Sequence, residues 1–125
     1  MKNLISVLFM FLLFSCGQEK SSDSLMTNQY VEELEMEVNN GGFNQYFFNS
    51  SGKNCFKVLD VLKSTDDAYY LELHDLLKEA IQIINVDRLS DNDLLDKIRN
   101  RNLESLDDDI VNEKLDSLDS IYYRN

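Results

Sequence analysis

Apolar residues recur at intervals of three and four positions along most of the chain, the spacing that places them on one face of a helix. Charged residues fall mainly between them. No segment shows the strict alternation of apolar and polar residues that is typical of a half-buried strand. The pattern therefore predicts an all-α fold, a single compact domain of about five to six helices around one core. The positions that carry the spacing are Val31, Leu34, Val38, Phe43, Tyr46, Phe47, Phe56, Leu59, Leu62, Leu73, Leu76, Leu77, Ala80, Ile81, Ile84, Val111, Leu115, Leu118 and Tyr122.

Glycine and serine residues mark the expected ends of these helices. Gly41 is expected to close the first helix in a left-handed conformation, and residues 50–52 to end a short second helix. Three later serines each precede an aspartate by three positions, which is the arrangement of a capping box. We therefore expect each of these serines to cap a helix. The pairs are Ser64 with Asp67, Ser90 with Asp93 and Ser105 with Asp108.

The first residues have the pattern of an export signal. A start with one lysine precedes an uncharged apolar run from Leu4 to Phe14. A secretory signal contains an apolar run of ~7–15 residues, whereas a bilayer-spanning helix needs ~20. The sequence from Leu13 to Cys16 resembles the lipobox of bacterial lipoproteins, in which the signal is cut before the cysteine. Residues 1–15 are therefore predicted to be a signal peptide, residues 16–23 a lipidated cysteine and flexible tether, and residues 24–125 the folded domain.

The lipobox resemblance implies that Cys16 carries acyl chains and anchors the protein to a membrane of the cell envelope. Each buried methylene contributes ~0.8 kcal/mol, and more than one chain gives stable anchoring. Gly17 after the cysteine resembles proteins sent to the outer membrane, with the domain on the periplasmic or surface face. The second cysteine, Cys55, then has no disulfide partner, and we expect it to be a small buried hydrophobic residue.

The composition is strongly acidic, because 23 Asp and Glu residues against 12 Lys and Arg give a formal net charge of −11. Nucleic acid repels such a domain and is not an expected partner, whereas a basic protein or peptide is attracted to it. The same charge could instead serve solubility alone, and the composition does not separate these two roles. The acidic positions chosen by charge density as candidate contacts are Glu32, Glu33, Glu35, Asp107, Asp108 and Asp109.

Few residues offer catalytic or metal-binding chemistry. His74 is the only histidine, and the side chain of its neighbour Asp75 is expected to point elsewhere. A nucleophilic pair with Cys55 would require the two side chains to converge, which no local pattern indicates. The acidic runs that start at Asp91 and Asp107 lack the oxygen ligands and the glycine of a calcium loop. We therefore expect no catalytic activity, no metal site and no cofactor.

The segment from Asn39 to Gly52 is rich in glycine, asparagine and aromatic residues, and it supports two interpretations. A Gly-Gly turn before a helix offers free backbone N–H groups to an anion. The segment lacks the lysine and the glycine spacing of a phosphate loop, however, and its aromatic residues fit a core face. We therefore favour a structural corner. The alternative is a pocket near residues 39–49 that makes the protein a small-molecule binder or a hydrolase.

The same segment resembles a family of small acidic helical domains related to a bacterial DNA-mimic protein. The matching residues are Glu37, Gly41, Gly42, Phe43, Gln45, Tyr46, Phe47, Asn49 and Gly52. A second match runs from Leu115 to Tyr123, so that the two together span most of the predicted domain. The resemblance implies an all-helical fold. For the DNA-mimic member it implies surface carboxylates that replace phosphates, which B-DNA carries at one per ~1.7 Å, and that bind a DNA-binding protein.

Overall fold

The structure of the protein is a computed structural model that describes residues 28–124. This part of the chain forms five α-helices and two 3₁₀ helices with no strand, which confirms the prediction of a compact all-α domain. The predicted signal peptide, Cys16 and the tether lie outside the described residues. No helix within residues 28–124 is long and apolar enough to cross a bilayer. The α-helices are α1 (Gln29–Phe48), α2 (Cys55–Leu62), α3 (Ala68–Ile84), α4 (Asp91–Arg99) and α5 (Asp109–Tyr123), and the 3₁₀ helices are Ser50–Asn54 and Glu104–Asp107.

The apolar faces of the five helices meet in one core, as their spacing predicts. The face of α2 is the exception. Its buried residues are Cys55, Val58 and Leu62, whereas Phe56 and Leu59 are half-buried and pack against the edge of the core. The prediction was therefore right for Leu62 and wrong for Phe56 and Leu59, where the buried residues are the preceding ones, Cys55 and Val58. The buried face is shifted because α2 packs against both α1 and α3 rather than against a single neighbour.

Helix α1 bends sharply at a glycine pair. Gly41 has φ −160° and ψ 15°, and Gly42 has φ 80° and ψ −176°, so neither residue is helical. The positive φ was expected at Gly41, but it occurs at Gly42, and the helix resumes at once. In a straight helix the twelve residue steps from Glu37 to Asn49 would span ~18 Å. Instead the Asn49 amide Nδ2 lies 2.7 Å from the Glu37 carboxylate, so the two arms of α1 fold toward each other.

The helix beginnings correct two of the three predicted caps. Ser90 caps α4, as expected, by accepting a hydrogen bond from the Asp93 N–H. The caps of α3 and α5 are instead Asp67 and Asp108, each of which accepts from two backbone N–H groups. The serines expected there donate to backbone carbonyl groups of earlier residues. Aspartate is the cap at these two positions because its carboxylate accepts two N–H bonds and also complements the helix dipole.

Helix α5 runs antiparallel along α1 and spans its bend. Near its start, Asn112 contacts Asn44 of the second arm. At its far end, the Tyr123 hydroxyl donates to the carbonyl of Val38 in the first arm. Between these contacts, Asp119 meets the bend itself. The final helix is therefore the element that holds the two arms of α1 at a fixed angle.

Candidate functional site

The charged residue at the bend is Glu37, which joins the two arms of α1. Its Oε2 atom accepts hydrogen bonds from Gln45 Nε2 at 2.9 Å and from Asn49 Nδ2 at 2.7 Å. Hydrogen bonds to an ionised carboxylate are stronger than neutral ones, so these two bonds fix the orientation of Glu37. They also give a structural role to two amide residues, Gln45 in the second arm and Asn49 directly after it.

On its other side, the bend rests on Asp119 of α5. Asp119 Oδ1 accepts a hydrogen bond of 2.8 Å from the N–H of Phe43. Phe43 is the first residue of the helix after the bend. The second arm thus receives its cap from a distant element, because the first N–H groups of a helix lack partners within it. A Cβ added at Gly42 would lie 2.1 Å from Asp119 Oδ2, so a larger residue would displace the carboxylate, and the φ of 80° would strain it as well.

Partial burial raises the pKa of Asp119 above its ordinary value. The hydrogen bond from the Phe43 N–H acts in the opposite direction, and the nearby carboxylate of Asp116 adds a smaller upward shift. Burial therefore disfavours the ionised form of Asp119, and the hydrogen bond from the Phe43 N–H partly offsets this effect.

The remaining residues of the segment have structural contacts. Phe43, Tyr46 and Phe47 are fully buried in the core. Asn44 Nδ2 donates to the carbonyl of Leu106 at 3.1 Å, which ties the second arm to the second 3₁₀ helix. Gly52 faces the backbone so closely that an added Cβ would lie 2.7 Å from the Tyr46 carbonyl oxygen. These contacts are those of a tightly packed corner.

A polar pocket of about 360 Å³ opens beside this corner, between the first arm of α1 and the first 3₁₀ helix. The alternative hypothesis expects a pocket near residues 39–49, and the observed pocket includes Asn49 from that range. Asn44 and Gln45 do not line it, because their side-chain amides are engaged within the corner. The residues that line the pocket are Glu33, Met36, Glu37, Asn49, Ser50, Ser51, Lys53, Asn54 and Arg101.

The six acidic candidates fall into two groups that the structure does not bring together. Glu35 accepts a hydrogen bond of 2.9 Å from the Tyr69 hydroxyl, near the C-terminal end of α5. Asp108 caps the N-terminal end of the same helix, ~20 Å away along fifteen residues. Glu32, Asp107 and Asp109 are exposed. Glu33 differs from the others because it lines the pocket.

The two residues weighed for catalysis have separate surroundings. Cys55 is a free, buried thiol, and its burial raises its pKa to about 12, so it is held as the unreactive thiol. His74 Nδ1 lies 3.1 Å from Asp75 Oδ1, so the expectation that the Asp75 side chain points elsewhere was wrong. Asp75 itself is exposed.

Within residues 28–124, no cluster of three or more His, Cys, Asp and Glu side chains could hold a metal ion.

The described residues thus define a small, acidic, all-helical domain with a bent first helix and a polar pocket beside the bend. A family model described as DMP19-like protein matches residues 22–125, and the chain belongs to this family. Neither a curated protein nor a solved structure matches the chain.

Three residues of the site were missed by the sequence analysis, namely Asp119, Lys53 and Arg101. Nothing in the local sequence distinguishes Asp119 from the other acidic residues of the last helix, because its role depends on a contact with Phe43, 76 residues away. Arg101 has a positive φ of 54°, which the sequence does not indicate. The spacing of Leu115, Leu118 and Tyr122 does place Asp119 beside the inner face of α5, and this was the only available sign.

Replacing Gly42 by alanine is expected to lower the free energy of unfolding by roughly 1–3 kcal/mol, because its backbone conformation is nearly exclusive to glycine and its Cβ would collide with Asp119. Chemical denaturation measures the loss. The matched control is Gly41→Ala, whose Cβ would mainly displace the flexible side chain of Gln45. Equal losses in the two variants would contradict the assigned roles.

Replacing Asp119 by asparagine keeps an oxygen acceptor for the Phe43 N–H and removes the titrating charge. A carboxyl group with a raised pKa in the folded state stabilises that state most when it is protonated. The wild-type protein should therefore gain stability relative to Asp119→Asn as the pH falls from neutrality through the raised pKa toward ~3.9, the ordinary value. Urea denaturation at several pH values measures this difference. A constant difference, or one of opposite slope, would contradict it.

Proposed function

We propose that the protein is a lipid-anchored component of the cell envelope whose acidic helical domain binds a basic protein or peptide. The observation that carries the proposal is the exposed and largely unneutralised negative charge of the domain. Every carboxylate within residues 28–124 is exposed or half-buried. Among the same residues, only Lys63 with Asp60 and Arg99 with Asp96 form lysine or arginine ion pairs with carboxylates. Membership in the DMP19-like family agrees with the relation to DNA mimicry, which remains part of the proposal.

The physical basis is electrostatic complementarity. Uncompensated carboxylates attract basic surfaces over about one Debye length, ~10 Å at 0.1 M salt, so binding to them weakens as salt increases. The same charge opposes nucleic acid as a partner. No catalytic activity is part of this proposal, because the interaction requires only charge and shape.

The charge proposal is tested with a lipid-free protein carrying Cys16→Ser, incubated with envelope extracts at low and high salt. Asp107→Lys with Asp109→Lys should lose most of the bound protein that the parent captures at low salt, and high salt should have the same effect on the parent. Asp108 is left unchanged because it caps α5.

The matched control is Asp66→Lys with Asp87→Lys, which makes the same change in net charge at two other exposed positions. It should retain more binding than the Asp107 and Asp109 variant. Binding that high salt leaves unchanged would contradict the electrostatic proposal. An equal loss in both variants would show that net charge, rather than this surface, determines binding.

The anchor is tested separately by cell fractionation. Cys16→Ala should move the protein from the membrane fraction to the soluble fraction, because acylation at Cys16 is the proposed means of attachment. Cys55→Ala is the matched control and should remain in the membrane fraction, since Cys55 is buried in the domain. A Cys16→Ala protein that stays with the membrane would contradict lipidation at this position.

The pocket beside the bend supports a second candidate function, binding of a small molecule. Its volume of about 360 Å³ falls within the range of ligand sites. Its lining contains neither histidine nor cysteine, so the side chains that surround it are better suited to binding than to the hydrolase activity of the alternative hypothesis.

A further inference from the structure

The pocket beside the bend brings opposite charges into one cavity. Glu33 and Glu37 come from one face of α1, Lys53 comes from the first 3₁₀ helix, and Arg101 follows α4. Neither Lys53 nor Arg101 forms an ion pair with a carboxylate of the described residues. What distinguishes these two cations is that they share a cavity with two glutamates. The pocket therefore has a negative wall and a positive wall that remain separate.

One charged side chain of each wall has contacts that orient it before any ligand binds. The Glu37 carboxylate is oriented by its hydrogen bonds from Gln45 and Asn49. The Arg101 guanidinium lies 5.9 Å from the centre of the Phe48 ring, in a cation–π contact with a side chain that is 53% exposed. Arg101 has a positive φ of 54° because it ends α4 in a Schellman turn, in which the Arg101 N–H donates to the Ile98 carbonyl and the Asn102 N–H donates to the Lys97 carbonyl. This turn fixes the backbone position of Arg101 beside the pocket.

One polar atom of the pocket residues lacks a partner. The hydroxyl of Ser51 is buried and forms no hydrogen bond with any described residue. Ser51 is one of the residues that line the pocket. Buried hydroxyl groups are nearly always hydrogen-bonded in native proteins, and a ligand can supply a partner to this one when the Ser51 side chain turns toward the cavity.

From these features we propose that the pocket binds a small zwitterion that carries one ammonium group and one carboxylate group. The ammonium group binds between Glu33 and Glu37, where two carboxylates four residues apart on one helix repel each other until a cation lies between them. The carboxylate group binds Arg101 and Lys53, and arginine can hold it through two parallel hydrogen bonds. This inference is independent of the acidic-surface proposal, because it rests on the pocket alone.

The test is an NMR titration of the full chain in detergent micelles, monitored at the backbone amides of Ser51 and Asn54. The probes are glycine, β-alanine, 4-aminobutyrate and 6-aminohexanoate, which carry the same two charges at increasing separation. At least one should give saturable shifts. The carboxylic acid and the amine of matched chain length should each bind at least about tenfold more weakly, because each loses one set of charge-assisted hydrogen bonds.

Variants then assign the two walls. Glu33→Gln and Arg101→Gln should each weaken binding of the preferred probe by about tenfold or more. Glu33 is chosen instead of Glu37 because Glu37 also holds the bend. The matched control Arg99→Gln removes a nearby exposed arginine that is paired with Asp96, and it should leave binding unchanged.

Three results would overturn the proposal. They are the absence of saturable shifts with every zwitterion, equal binding of a zwitterion and its singly charged analogue, and unchanged binding in both wall variants. None of them bears on the salt-dependent binding of a basic protein, so the two proposals fail separately.

Discussion

The contact of Asp119 with the Gly42–Phe43 bend is the constraint on which the rest of the structure depends. The Phe43 N–H donates to the carboxylate, and the missing side chain of Gly42 leaves the space that the carboxylate occupies. The bend lets the second arm of α1 turn back, so that Tyr46 and Phe47 enter the core. It also brings Asn49 to Glu37, which places the first 3₁₀ helix beside the first arm and forms the pocket between them. A straight α1 would provide neither the corner nor the cavity.

The acidic residues of the protein divide into structural and uncommitted groups. Asp67, Asp108 and Asp119 accept backbone N–H bonds at the beginnings of helical segments, and Glu37 joins the arms of α1. These carboxylates stabilise the fold, so their charge does not by itself indicate a partner. The exposed carboxylates without such contacts are the ones available for binding. This distinction is why Asp107 and Asp109 are more informative positions for charge reversal than Asp108.

The sequence predicted the architecture well because helix faces follow from local spacing. The single all-α domain was confirmed, and the core positions on α1, α3 and α5 were predicted. The errors arose where several local partners compete. Serine and aspartate can both cap a helix, and only the tertiary position of Ser105, which bonds the Ile84 carbonyl, shows that Asp108 takes the role.

The bend and the pocket depend on contacts between distant parts of the chain, which spacing alone does not provide. The sequence marked the glycine pair as a helix end, but the reversal depends on Asp119, 76 residues after Phe43. The positive wall depends on Arg101, which is far from the pocket's other residues in sequence. The family resemblance identified the correct segment as distinctive, and membership in the DMP19-like family is shown. It did not indicate which residues surround a cavity.

Hydrogen exchange at the Phe43 amide tests the central constraint most directly. In the wild-type protein this amide should exchange slowly, although it begins the second arm of α1, because Asp119 accepts its hydrogen bond. In Asp119→Ala its exchange should accelerate at least about tenfold more than that of the Leu77 amide, which lies in the middle of α3 at a fully buried residue and serves as the reporter of global opening. A Phe43 amide that exchanges freely in the wild-type protein, or that responds to Asp119→Ala no more than Leu77 does, would contradict the account.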